Sequence, residues 1–271
     1  IKEAGYDIVS LANNHQIDSK GPGIDSTYYA FNDKGISTIG TNMSENQPIL
    51  VKEVNGIKVA FLAYTFGFNG MEKTITKQEY DLKLEPLLEK NIHEDILEAQ
   101  KIADIIVVYP HMGVEYVLTP TTSQKALYTK MIDWGADIVL GNHPHVVQPT
   151  EIIEKDGQKK FILYSLGNFL SNQRLESVNN IWTERGLIME INIERKLGYP
   201  VAIESIVAHP TWVYRESKNQ VHSNQEELYT YYVLSTQQVL NGEVDLNLNK
   251  ETIDRIQKAH FGVLDQLNLE R

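Results

Sequence analysis

The chain has 271 residues, of which 42% are apolar and 23% charged, so it has the composition of a globular protein with room for one large α/β domain or two small ones. Its net charge of −11 argues against nucleic-acid binding, which requires a basic surface. The absence of cysteine excludes disulfides, zinc ribbons and thiol nucleophiles, and no apolar run is long enough to span a membrane.

The opening residues indicate that further elements precede them. Ile1–Gly5 has the pattern of a last helical turn with a glycine stop, and an apolar strand follows almost at once. We therefore expect the sequence to begin inside a larger domain. The alternative is a trimmed but complete domain.

Strands and helices are predicted to alternate along the first half of the chain. Helices follow from apolar residues at helical spacing, strands from short apolar runs, and Asn55-Gly56 is a typical hairpin turn. The predicted elements are a strand over Asp7–Leu11, a helix over Ile24–Lys34, a hairpin of Ile49–Val54 and Ile57–Tyr64, an irregular segment over Phe66–Leu84, a helix over Ile92–Ala103, a strand over Ile105–Tyr109, a helix that begins at Thr119-Pro120 and ends at Trp134, and a strand over Ile138–Leu140. This order is typical of a layered α/β sheet.

The second half is predicted to begin with strands and to end with helices. The elements are a hairpin of Thr150–Glu154 and Lys160–Ser165, strands over Gly186–Ile193 and Val201–Val207, and helices over Gln225–Leu240 and Lys250–Leu267. No linker is strong enough to cut the chain in two. We expect a domain over residues 1–210, with residues 211–271 as its helical extension.

Histidines stand just after the carboxyl ends of three of the predicted strands. His15 follows the first, His111 follows Ile105–Tyr109, and His143 and His145 follow Ile138–Leu140. Ligands of an open α/β sheet bind outside the carboxyl ends of its strands. If these strands lie side by side, the four imidazoles meet at one edge, which suits a metal-assisted hydrolase.

His143-Pro144-His145 is the most specific local signal. Proline holds the backbone extended, so both imidazoles can reach toward one metal cluster. Asn142 adds a polar group that is a candidate for substrate binding, and Gly141 lets the backbone approach closely. The alternative is a surface loop that happens to be rich in histidine.

Asn13, Asn14 and His15 form the second candidate group. An amide oxygen is a hard, neutral ligand for a divalent cation, and a histidine beside it can donate a proton to a leaving group. One of the two asparagines is expected to cap the following turn and the other to be the ligand. Asp18 either orients His15 or caps the loop.

Two further polar residues are candidates from their positions after strands. Glu115 stands four residues after His111 and is either a partner of a metal ligand or a substrate-binding group. Asn168 follows the strand Lys160–Ser165 and is expected to line the site. Ser165 lacks the spacing of a nucleophile elbow.

Taken together, these motifs resemble those of the CapA-type bacterial capsule synthesis proteins. The resemblance rests on several motifs in order over about residues 1–210, namely Ala12-Asn13-Asn14-His15 with Asp18, His111–Tyr116, Gly141–Gln148 and Tyr164–Phe169. That family takes part in making or exporting poly-γ-glutamate and is similar to the calcineurin-like metallophosphoesterases. The resemblance implies a layered αββα sandwich with a two-metal site, without its N-terminal strands in this chain.

The resemblance also implies a role for each histidine. It makes Asn14, His111, His143 and His145 metal ligands and His15 the proton donor, with two divalent ions of manganese, iron, zinc or magnesium as cofactors. Met112 stands where the family usually has tryptophan. The family's first metal-binding aspartate and its membrane anchor would lie upstream of Ile1, so at least one carboxylate ligand is missing.

Three functions follow as expectations from the site and the resemblance. The first is a metal-dependent hydrolase-like domain of the capsule machinery, at the outer face of a bacterial membrane, acting on an anionic polymer or a phosphoester. The second is a non-catalytic component that holds polymer during assembly or export, together with other capsule-synthesis membrane proteins. The third is a general phosphoesterase.

Overall fold

The structure is a computed structural model that describes residues 1–221 and 227–269. Its helices are α1 (Lys20–Asn32), α2 (Lys77–Lys83), α3 (Glu89–Ala99), α4 (Thr122–Trp134), α5 (Leu175–Val178), α6 (Thr236–Leu240) and α7 (Lys250–Leu267). Its strands are β1 (Ile8–Ser10), β2 (Ser37–Ile39), β3 (Leu50–Val54), β4 (Ile57–Thr65), β5 (Ile105–His111), β6 (Ile138–Leu140), β7 (Thr150–Lys155), β8 (Gln158–Leu163), β9 (Arg185–Arg195), β10 (Val201–Val221) and β11 (Glu227–Ser235). No helix in these ranges has the length and apolar character needed to cross a membrane.

A mixed six-stranded sheet is the centre of the fold. Its order is β3-β4-β5-β6-β8-β7, with β4, β5, β6 and β8 parallel and the outer strands β3 and β7 antiparallel to their neighbours. Both outer strands belong to tight hairpins, as the turn sequences predicted. The parallel strands end on the same side, so the sheet has one carboxyl edge at which polar loops can gather.

Helices α3 and α4 cover one face of this sheet. Their apolar stripes, which include Ile92, Ile96 and Met131, are completely buried against β4, β5 and β6. Thr121 is the N-cap of helix α4 and its side chain accepts the backbone N–H of Gln124, so the cap lies two residues after the predicted cap Thr119. The sheet and these helices form the rigid support of the site.

The opposite face packs against a second sheet and the last helix. This sheet has the order β11-β10-β9. Leu187 of β9 and Ile203 of β10 pack with Phe161 of β8, and Val263 and Leu267 of α7 complete the cluster. The layered α/β class that the sequence predicted is therefore confirmed, with a mixed central sheet.

Strand β1 does not join the six-stranded sheet, although the expectation of four meeting histidines assumed neighbouring strands. It pairs in parallel with β2 only, in a separate two-stranded sheet. An apolar cleft of about 490 Å³ lies between β1 and the six-stranded sheet, which lines it with Val107 and Leu140. The histidine after β1 thus reaches the site from a different layer.

The predicted helix over Gln225–Leu240 is wrong in its described part. Residues 225 and 226 lie outside the described ranges, Glu227–Ser235 is the strand β11, and only Thr236–Leu240 is helical. Tyrosines at Tyr229, Tyr231 and Tyr232 favour a strand when a partner is available, and the long β10 supplies it. Residues 211–271 are therefore not a purely helical extension, and β10 runs across the boundary expected at residue 210.

The other helix predictions differ mainly at their ends. Helix α1 begins at Lys20, since Pro22 falls in its first turn, where proline is tolerated. The irregular segment Phe66–Leu84 contains the short helix α2, which Thr76 and Glu79 cap reciprocally. Helix α7 has the bounds predicted for it.

Candidate metal centre

The ends of β5 and β6 bring His111 and the His143 loop together. His111 is the last residue of β5 and forms a parallel bridge with Asn142, while the N–H of Met112 donates to the Asn142 carbonyl at 3.0 Å. The imidazole centroids of His111 and His143 lie 4.9 Å apart, and those of His143 and His145 lie 6.1 Å apart. Three of the predicted imidazoles therefore share one site.

Gly141 allows the close approach that its position predicted. A Cβ at this residue would lie 2.2 Å from the carbonyl oxygen of Tyr164 and 2.6 Å from the hydroxyl of Tyr128. Both distances are far below van der Waals contact, so only glycine lets β6 run directly into this loop. The position of His143 depends on that path.

The backbone of the His-Pro-His turn is held in a conformation that side chains rarely adopt. His143 has a φ of 106° and His145 a φ of 60°, so the proline between them does not produce the simple extended turn that was predicted. The N–H of His143 donates to Asn142 Oδ1 at 2.9 Å, and Asn142 Nδ2 donates to the Tyr109 hydroxyl at 3.0 Å. Asn142, a candidate for substrate binding, thus fixes the backbone of His143.

Asn14 enters the site from the β1 layer. Its side chain is buried, with Oδ1 2.9 Å from His111 Nε2. Its Nδ2 donates to Asn69 Oδ1 at 3.1 Å. The Asn14 oxygen therefore faces the imidazoles, as a ligand must.

Asn13 has the local role that the sequence left open for one of the two asparagines. Its Oδ1 accepts the N–H of His15 at 2.9 Å, and its Nδ2 donates to the Leu11 carbonyl at 3.0 Å. These bonds close a turn on the backbone itself. The turn aims Asn14 at the sheet and His15 toward solvent.

His15 and Asp18 form an exposed pair at the rim. His15 Nδ1 lies 2.7 Å from Asp18 Oδ2, and the two side chains are 64% and 52% exposed. Asp18 thus contacts His15 directly, which fixes the ring by one nitrogen and leaves Nε2 for a solvent-borne group. The carboxylate orients the imidazole in this arrangement.

His145 is held by the loop after β8. Asn168 Nδ2 donates to the Thr183 carbonyl at 3.0 Å, so Asn168 Oδ1 accepts the Nδ1 proton of His145 at 2.9 Å. His145 Nε2 is then the nitrogen that faces the site, 3.9 Å from Glu115 Oε1. The ring of Tyr116 stacks on His145 with centroids 5.9 Å apart.

Burial favours the neutral form of the His111 and His143 imidazoles. Burial first, and then the neighbouring His143, His145 and His15, lower the pKa of His111 to about 3. Burial also lowers the pKa of His143, against an opposing effect of Glu115. A neutral imidazole is the form that coordinates a metal.

The donor set fits one side of a divalent cation. His143 Nδ1 is buried and has no hydrogen-bond partner, which is unusual for a polar atom unless a ligand completes it. The Asn14 oxygen and neutral imidazoles are suitable donors beside it. Within residues 1–221 and 227–269, however, no three His, Cys, Asp or Glu side chains stand close enough to hold a metal ion by themselves.

Several residues of the site carried no signal in the sequence. Asn69 lies in the segment predicted to be irregular, Tyr109 lies within β5, and the exposed ring of Phe66 lies 4.7 Å from the His143 ring. Each acts through a partner far away in the chain. Only the position of Phe66 directly after β4, at the carboxyl edge, offers a clue.

The fold and this site define an α/β protein with a histidine and amide cluster at the carboxyl edge of a mixed sheet. The chain belongs to the bacterial capsule synthesis protein family PGA_cap, whose family model matches residues 1–173. The resemblance drawn from the motifs is thereby confirmed, and the match ends before the expected residue 210.

Two curated relatives agree with this family. The chain is 36% identical over 176 residues to the capsule biosynthesis protein CapA of Bacillus anthracis, a match that covers 64% of this chain and 42% of that protein. It is 33% identical over 180 residues to the PGA biosynthesis protein CapA of Bacillus subtilis (strain 168), covering 64% and 44%. The chain thus matches less than half the length of these relatives.

Solved structures resemble the chain at a distance. A putative 5′-nucleotidase from Staphylococcus aureus has a TM-score of 0.49 at 15% identity, covering 82% of this chain and 41% of that one. A 5′-nucleotidase from Candida albicans has a TM-score of 0.45 at 13% identity, covering 97% and 44%.

Proposed function

We propose that this chain is a metal-dependent, hydrolase-like domain that acts in the synthesis of a poly-γ-glutamate capsule. Membership of the capsule synthesis family and the names of the two Bacillus relatives support the biological role. The observation that carries the chemistry is the buried, unpartnered Nδ1 of His143 beside His111 and Asn14. We also propose that the protein works at the outer face of a bacterial membrane.

His111, His143, His145 and Asn14 would hold the divalent cations, with a carboxylate from outside this set. Such a metal supplies a bound water of lowered pKa and positive charge for the attacked group. The hydrogen bond from His145 to Asn168 fixes which ring nitrogen is left for coordination. Phosphoesters and the amide bonds of a γ-linked glutamate polymer are the two substrate classes of this proposal.

The outer residues would handle protons and orient the substrate. His15, exposed and held by Asp18, can deliver a proton to a leaving group at the rim. Glu115 lies beside His145 and is half exposed, so its carboxylate can accept a hydrogen bond from a substrate N–H or O–H. Asn13 accepts the backbone N–H of His15, and Asn142 accepts that of His143, so each holds the backbone of one histidine.

A second candidate is a non-catalytic component that holds polymer during assembly or export with other membrane proteins of the capsule machinery. The observation that favours it is that the described residues contain no complete metal cluster of their own. In that case the site would bind polymer carboxylates through a loosely held cation. A general phosphoesterase remains the third possibility from the sequence.

The experiment compares the wild-type protein with His143→Ala and with His209→Ala. His209 is an exposed histidine paired with Glu190, so its variant is a matched control outside the site. Bound manganese, zinc and iron are quantified after dialysis, and turnover of a generic phosphodiester and of poly-γ-glutamate is measured. We expect metal and turnover in the wild type and in His209→Ala, and neither in His143→Ala.

The outcomes separate the candidates. Turnover of the polymer assigns the substrate as γ-linked glutamate, and turnover of the phosphodiester alone favours the general phosphoesterase. Metal without any turnover, together with polymer binding, favours the non-catalytic component. Equal metal content in all three proteins would exclude His143 from the proposed centre.

A further inference from the structure

Arg185, at the start of β9, is a buried cation that makes no ion pair with a described residue. The residue is only 6% exposed, its Nε has no hydrogen-bond partner, and its guanidinium makes no hydrogen bond or ion pair with any residue in the described ranges. Buried charges in proteins are paired almost without exception, because removing an ion from water is costly. An unpaired buried guanidinium therefore calls for a ligand.

The nearest acidic residue in sequence does not supply the missing partner. The carboxylate of Glu184 forms an ion pair with Arg255 and accepts the backbone N–H of Leu175 at 2.8 Å. Arg255 is already paired with Glu184 and with Glu176. Its Nη1 lies 2.7 Å from Glu176 Oε1. Burial lowers the pKa of Arg185, and Glu184 only partly opposes this effect.

The surroundings of Arg185 shape the unpaired guanidinium for an anion. The ring of Trp182 covers one face of its plane at 4.1 Å, a cation–π contact that excludes water from that face. Gly262, a half-buried glycine of α7, makes room for the guanidinium, since a Cβ there would lie 2.6 Å from Nη1. The planar fork of N–H donors matches the two oxygens of a carboxylate or phosphate.

We propose that Arg185, Trp182 and Gly262 form a binding site for an oxyanion group, either a carboxylate or a phosphate. All three residues lie beyond residue 173, outside the family match, and none belongs to the candidate metal centre. The site is nevertheless connected to that centre. The Thr183 carbonyl accepts from Asn168, and Gly186 bridges to Gly167, so the segment that carries Arg185 also supports the partner of His145.

The test measures anion binding to the full chain after removal of metal with EDTA, so it does not depend on the proposed metal function. Inorganic phosphate and glutarate are titrated separately by isothermal calorimetry and by thermal unfolding. The variants are Arg185→Met, Arg185→Lys and Gly262→Ala. Arg195→Met is the matched control, because Arg195 is exposed and paired with Asp104.

We expect saturable binding of at least one anion by the wild type and by Arg195→Met. Arg185→Met should lose at least about tenfold in affinity, since charge-assisted hydrogen bonds are lost, and Arg185→Lys should lose less. Gly262→Ala should weaken binding by moving Nη1. Binding of phosphate alone assigns a phosphoester group, and binding of glutarate alone assigns a polymer carboxylate.

A stability measurement distinguishes a ligand site from a structural arginine. Without ligand, Arg185→Met should unfold at the same temperature as the wild type or higher, because an apolar side chain replaces an unpaired buried charge. Failure of the wild type to bind either anion would overturn the proposal. Equal affinity in Arg185→Met and Arg195→Met would do the same, and if Arg185→Met does not fold, Arg185→Lys and Gly262→Ala decide in its place.

Discussion

His111 Nε2 lies 2.9 Å from Asn14 Oδ1, although 97 positions separate the two residues in the chain. The Asn14 amide donates to Asn69 through Nδ2 and directs its oxygen at His111, so the oxygen is the acceptor and the imidazole the donor. The bond connects the loop after β1 to the end of β5, two strands that belong to different sheets. It is the contact that turns two separate sequence motifs into one candidate site.

Replacement of Asn14 should weaken the binding of divalent cations. In metal-stripped protein, Asn14→Ala removes one donor and the partner of His111, so we expect divalent-cation affinity to fall about 10- to 100-fold. Asn14→Asp should retain affinity because its carboxylate also offers oxygen. Manganese titration by calorimetry measures the effect, and Asn192→Ala, an exposed asparagine on β9, is the control. Unchanged affinity in Asn14→Ala would remove this residue from the proposed centre.

Stability should fall in acid because of His111. Its pKa is lowered to about 3 in the folded protein, whereas an unfolded histidine titrates near about 6.5. Between these values the unfolded chain binds a proton that the folded state does not. The free energy of unfolding therefore has its full value above about pH 6.5. It falls by at most about 5 kcal/mol as the pH drops toward about 3.

Urea unfolding of metal-free protein at pH 7.5 and 4.5 measures this loss. The variant His111→Asn keeps a polar side chain that does not titrate, so its change in stability between the two pH values should be smaller by about 2–3 kcal/mol. His209→Ala should keep the full wild-type change, because His209 is exposed. An identical pH dependence in all three proteins would contradict the lowered pKa.

The sequence predicts correctly that His111, His143 and His145 lie close together, since they stand at the carboxyl ends of β5 and β6, which are neighbours in one sheet. It does not predict how Asn14 reaches them, because β1 pairs with β2 in another layer and that pairing is non-local. The strand β11 was mistaken for a helix for a similar reason: its partner β10 decides its conformation, and local spacing does not.

Buried charges were beyond the reach of sequence reasoning for the same reason. Nothing near Glu184 in the chain indicates that its carboxylate is completely buried, or that it pairs with Arg255 of α7, 71 residues later. Such long-range ion pairs leave no periodic pattern. The segment Ile181–Glu184 carried no prediction, yet its Thr183 carbonyl accepts from Asn168, which holds His145.

Neutralising Glu184 should destabilise the protein strongly. Glu184→Gln removes the buried carboxylate that pairs with Arg255 and Arg174, so Glu176 remains as the partner of both guanidinium groups, and we expect a cost of about 3–5 kcal/mol. Glu176→Gln is the comparison, because Glu176 pairs with both Arg255 and Arg174 but is 48% exposed, so its loss should cost less than the loss of Glu184. Urea unfolding at pH 7.5 compares the two, and equal losses would show that burial of the pair does not matter.

Gly141→Ala should affect both stability and metal binding. The added methyl group would lie 2.2 Å from the Tyr164 carbonyl oxygen, and because both residues directly follow adjacent parallel strands, the backbone itself must move. We expect a loss of about 3 kcal/mol in the free energy of unfolding, in the range for overpacked cores. Since Gly141 leads into the His143 turn, divalent-cation affinity should fall as well.

Gly67→Ala provides the comparison for this last variant. Gly67 also lies at the carboxyl edge, two residues after β4, but a Cβ there meets nothing within 4 Å and its φ is not positive. The substitution should change stability by less than about 1 kcal/mol, in the stabilising direction, because alanine restricts the unfolded chain. Urea unfolding and manganese titration of the two variants side by side measure both effects. If Gly141→Ala matched Gly67→Ala in either measurement, the close approach of β6 to β8 would not be what places His143.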